Sequence, residues 1–112
     1  MTTIVQTQLV APVQLANADA SVYVSPTLTT TKISRAVFCN TTASAATITA
    51  GITTGGALAA ATTLISARTV APGESYVSPE LAGAVLPAGS AIRAYSGTAT
   101  AITFTSSGLT IQ

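Results

Sequence analysis

Apolar and polar residues alternate with period two along most of this chain, and a sustained 3.6-residue period is hard to find. In "SVYVS" the alternation sets Val22 and Val24 on one face and Tyr23 on the other. "KISRAVFCN" sets Ile33, Arg35, Val37 and Cys39 against Ala36 and Phe38, and "ATITAGI" sets Ile48 against Thr47 and Thr49. "TATAITFTS" pairs Ile102 and Phe104 against Thr103 and Thr105, and "GLTIQ" does the same with Leu109 and Ile111. The Thr and Val that fill these runs fit pleated, half-buried surfaces, so the pattern predicts an all-β chain.

Turn residues punctuate the runs. "VAPGES" and "LPAGS" place Pro and Gly where the chain must reverse, while "TTASA" after Asn40 and "SSG" before Leu109 read as hairpin loops. Short strands with turns at short intervals predict an antiparallel β-sandwich or jelly roll. One short helical turn is expected at "SPELAGAVLP", with Ser78 as cap, Pro79 at the first helical position, Glu80 complementing the dipole and Pro87 as the stop. "YVSPTL" from Tyr23 and "YVSPEL" from Tyr76 echo each other weakly. Residues 1–18, uncharged before Asp19, read as an extended N-terminal arm or edge strand able to pair with a neighbour's sheet edge, and residues 19–112 as one sandwich domain.

Composition changes this picture in one respect. Of the 112 residues 48% are hydrophobic, but much of that share is Ala, aromatics are 4% and charged residues 6%, so the core is thin and some apolar surface is left for a partner. A homo-oligomer or attachment to a lattice is the natural completion. The span from Ala36 to Ala67 carries no charge at all, which suits packing or surface contact rather than catalysis.

Charge and chemistry then exclude several classes. Net charge is +1, without the basic footprint that nucleic acid demands. The N-terminus lacks the pattern of a signal peptide, and "AGITTGGALAAATTLI" is too rich in Thr for a membrane span. Cys39 is the only cysteine and reads as a small buried hydrophobe, and the sequon at Asn40 matters only in a eukaryotic secretory route. With no His and with Asp19, Glu74 and Glu80 in separate segments, no catalytic residue, metal site, cofactor site or small-molecule substrate is expected. Threonine ranks such as "TIT" lack the fixed repeat of an ice-binding face. The candidate functional residues are interface anchors: Arg35, Arg68 and Arg93, whose forks grip backbone or carboxylate groups, and Tyr23, Tyr76 and Tyr95.

The segment from "RAVFCNTTASAATITAG" through "TTLIS", "APGE", "SPEL" and "LPAG" resembles a group of small tailed-bacteriophage virion proteins, over roughly Lys32 to Gly108. The resemblance implies a β-sandwich made in the bacterial host cytoplasm and built into the virion. Capsid decoration or cement is the expected role, with the major capsid protein or another virion protein as partner and no nucleic acid or membrane contact. A neck, tail or baseplate subunit is the alternative, and a host-surface glycan-binding module a third reading that asks for more exposed aromatics and carboxylates than this chain has.

Overall fold

The computed structural model describes residues 3–112, and Met1 and Thr2 of the expected arm lie outside the described residues. Among the described residues nine strands form two packed antiparallel sheets: β1 Ile4–Gln14, β2 Ala20–Val24, β3 Thr30–Asn40, β4 Ala46–Thr53, β5 Thr63–Val70, β6 Ser75–Val77, β7 Val85–Leu86, β8 Ala91–Ser96 and β9 Ile102–Ile111. The first sheet runs β1-β9-β3-β6, with β7 also on β3, and the second runs β2-β8-β4-β5. The fold is the expected β-sandwich.

Only β4 to β5 and β6 to β7 connect strands of the same sheet. "TTASA" is therefore no hairpin loop. It carries the chain from β3 in one sheet to β4 in the other, and Asn40 holds that crossing. Asn40 is fully buried, its Nδ2 donates to Ser44 O (2.8 Å) and Val70 O (2.9 Å), and its Oδ1 accepts from Thr42 N and Thr42 Oγ1. A buried amide satisfied on both sides fixes the loop at the end of β5. This side chain is structural, which the sequon reading misses.

The core lies between the sheets around Phe38, Phe104, Ile33, Ile48, Ile92 and Ile102. Phe104 and Phe38 pack with ring centroids 4.7 Å apart, and Phe38 stacks on Tyr76 at 6.5 Å. The row runs across the inner face of the first sheet from β9 to its edge at β6. The uncharged span from Ala36 to Ala67 supplies Phe38, Ala46, Ile48, Ala50 and Ile65 to this interior.

Strands β3 and β9 depart from the pattern read in the sequence. Between Ile33 and Arg35 the β3–β9 register slips by one residue, leaving Ser34 as the extra residue of a bulge. Since a one-residue slip exchanges the faces, Ile33 stays inside with Ala36 and Phe38, while Arg35, Val37 and Cys39 turn outward. "SSG" is not a loop either: it lies inside β9, which runs unbroken past Gly108. Ile102, Phe104 and Ser106 point in, so Leu109 and Ile111 fall on the outer face.

The segment at 78–84 makes one hydrogen-bonded turn, with Ser78 Oγ accepting from Leu81 N at 3.2 Å and Ala82 N donating to Ser78 O. Gly83, at φ 82°, ends it, and Val85 and Leu86 go on to pair with β3.

A Cβ built on Gly108 stands 2.1 Å from Lys32 O and 3.0 Å from Leu9 Cδ1, so both strands flanking β9 close on this one glycine. Gly108→Ala should lower stability by about 1–3 kcal/mol in urea unfolding, through forced backbone shifts. The neighbouring exposed Ser107→Ala should stay within about 0.5 kcal/mol of the parent.

Candidate interaction surface

The six candidate anchors are dispersed over the sandwich. Three of them join its two sheets. Tyr23, on β2, turns its phenol inward to Thr31 Oγ1 on β3 at 3.0 Å, opposite the exposed Val24, while a register slip between Ser21 and Tyr23 lets Val22 pack against the core beside it, where the alternation sets it with Val24. Arg68, on edge strand β5, lies 4.1 Å over the ring of Tyr76 on edge strand β6, and the Tyr76 hydroxyl donates to the Glu80 carboxylate, at 2.6 Å from Oε2. This cation–π contact closes one side of the sandwich. Desolvation, then the hydrogen bond and the charge of Glu80, push the Tyr76 phenol above its ordinary range.

Arg93 is committed within the chain as well. Its Nε donates to Asp19 Oδ1 at 2.9 Å, while Leu58 N donates to Asp19 Oδ2 at 2.8 Å, tying the β1–β2 connection to β8 and to the long β4–β5 loop. Tyr95 faces out from the second sheet opposite Thr49. Arg35 faces out from the first. Among the described residues no three His, Cys, Asp or Glu side chains are grouped to hold a metal.

What the fold does assemble is the outer face of the first sheet. β1 inserts Leu9 as an extra residue between Gln8 and Val10, and β3 inserts Ser34, so both neighbours of β9 bulge beside Ser106, Ser107 and Gly108. The bulges open a shallow groove of about 420 Å³ lined by Gln8, Arg35, Val37, Thr105, Ser106 and Ser107. A second hollow of about 240 Å³ continues it past Ser107 between Gln6 and Ser34. Around it the register places Ile4, Val37, Val77, Val85, Leu109 and Ile111 on the same face. Three of these are large and open, Ile4 at 62%, Val77 at 51% and Val85 at 56% exposure. Lys32 and Arg35 are the charged residues beside them. Such a face can bury area and accept hydrogen bonds through Gln and Ser, and it offers no nucleophile–base pair.

No family model matches the chain, and no curated protein matches it. Among solved structures, the structure of infectious bursal disease virus Gx strain, an animal virus, contains a similar chain. The TM-score is 0.55 at 12% identity, over 99% of this chain and 33% of that one. At that identity the likeness concerns the fold: this chain, spanning about a third of the viral one, has its sandwich architecture.

Asp19 gives a test of the internal ties. Desolvation raises its pKa, but the Leu58 N–H and the Arg93 hydrogen bond and charge outweigh it, holding the carboxyl below its ordinary value of 3.8. With the folded value depressed, the stabilisation is complete above the unfolded pKa and fades as pH falls through the folded one. Asp19→Asn should therefore lower stability by up to about 1 kcal/mol at pH 7, with the gap to the parent closing as thermal melts are taken below the folded pKa.

Proposed function

We propose that this chain is a non-enzymatic virion structural protein, and that it acts as a capsid decoration or cement subunit of a tailed bacteriophage. The observation that carries the reading is the outer face of the first sheet, an apolar surface whose charges are the cations Lys32 and Arg35, on a domain whose carboxylates Asp19 and Glu80 are spent on internal contacts. A sandwich fold shared with a chain of a virus structure supports it. So does the turn order of "CNTT", "APGE", "SPEL" and "LPAG", which resembles that of the phage group.

On this reading the protein works by area and shape. Docked on an assembled shell, it adds favourable contacts to the folded lattice and to no unfolded state, and mass action converts that difference into stability. The major capsid protein is the partner, and the groove beside Arg35 is where polar groups of the shell would find hydrogen bonds among the apolar contacts.

Quantitative mass spectrometry of purified particles, scaling copies of this chain to the major capsid protein, tests the proposal. Decoration predicts a ratio of the order of a shell-covering lattice. A ratio fitting a single ring would transfer the chain to the neck, tail or baseplate, and absence from the particle would sink the virion reading.

A further inference from the structure

Among the described residues the sandwich has five edge strands, and four of them are blunted. β7 has only two residues and β6 three, β2 has five and a register slip, and β5 has register slips, a left-handed Ala67 at φ 47° and Arg68. Short, bulged or charged edges are how sheets avoid pairing with other chains. The fifth edge, β1, is blunted over its C-terminal half alone, by Pro12 and two register slips. Its N-terminal half, Ile4–Gln8, is regular, uncharged and exposed, with Val5 uncovered on the inward side as well as Ile4 on the outer.

The hydrogen-bond phase of this half follows from its end. Thr3 N donates to Gln112 O at 3.0 Å and Gln112 N to Thr3 O at 2.9 Å, so this pair exchanges both bonds. Alternation along an antiparallel ladder then turns Val5 and Thr7 toward β9 and leaves the N–H and C=O groups of Ile4, Gln6 and Gln8 on the open edge.

We infer that this edge pairs with the same edge of a second copy, antiparallel about a two-fold axis at Gln6. Ile4 then stands opposite Gln8 of the second copy and Gln6 opposite Gln6, each pair in hydrogen-bonding phase, so the open groups of one chain meet those of the other. A self-pair requires such symmetry, and the phase provides it. Charge allows it too: no ionisable side chain lies in Ile4–Gln14, and an amide at Gln6 can both donate to and accept from its symmetry mate. A five-residue edge is smaller than the roughly 800 Å² per partner of a stable complex, which sets the expected affinity in the micromolar range. The inference is independent of the virion reading, and its test uses the isolated chain.

Sedimentation velocity across the micromolar range should show a monomer–dimer equilibrium. Gln6→Lys and Gln6→Glu each place like charges face to face on the axis, and each should raise the dimer dissociation constant roughly tenfold or more. An equimolar mixture of the two should dimerise again, because Lys then meets Glu. Gln6 is exposed and its N–H faces away from β9, so at concentrations where the parent is monomeric the thermal melt of either variant should match it. A parent that stays monomeric up to about 100 µM, single variants that dimerise like the parent, or a mixture that does not recover would each overturn the inference.

Discussion

The close approach of β3 and β1 to Gly108 is the constraint from which the rest of the first sheet follows. A side chain there would strike Lys32 O and Leu9, so only glycine lets three strands run together at this point. Having closed, the flanking strands each carry one residue too many, Leu9 on β1 and Ser34 on β3. Those two bulges reset the faces. They keep Val10, Ala36 and Phe38 in the core, turn Arg35 and Val37 outward and open the groove along β9. Beyond the bulges the ladder is regular, which leaves Ile4–Gln8 paired on one side and open on the other.

The two sheets divide the work. The second is drawn inward by Ala46, Ile48 and Ala50 on β4, and it is tied to its surroundings by Asp19, Arg93 and Leu58 N. Arg68 over Tyr76 closes the side where β5 and β6 face each other, and the buried Asn40 fixes a crossing between sheets. With a thin, alanine-rich core, these polar and aromatic ties stand in for large apolar side chains. The first sheet keeps its outward apolar residues, Ile4, Val77 and Val85, open.

Much of this was readable from residue order. Period-two alternation gives the sandwich, the phases of β4 and of Ile102 to Thr105 in β9 follow directly, and Ser78 caps a turn as its position suggests. The failures share one cause: a bulge changes the phase of a strand without changing its composition. Nothing in "KISRAVFCN" marks Ser34 as the extra residue, because the reason sits on another strand, at Gly108. "SSG" has turn composition yet stays extended because β1 and β3 pair with it on both sides. The candidate anchors are placed by contacts between strands that composition does not mark, Arg68 over Tyr76, Arg93 on Asp19 and Tyr23 on Thr31, and of the six Arg35 alone lines the groove.

On the proposed function the chain works through the first sheet, with the second as its support. Amide-resolved hydrogen exchange, comparing the dilute chain with its assembled form, tests this most directly. Val5 and Thr7 should exchange slowly in both, while Ile4, Gln6 and Gln8 should exchange fast in the dilute chain and slowly after assembly. New protection around Thr47, Thr49 and Tyr95 on the second sheet, with Ile4, Gln6 and Gln8 still fast, would instead place the contact on the second sheet.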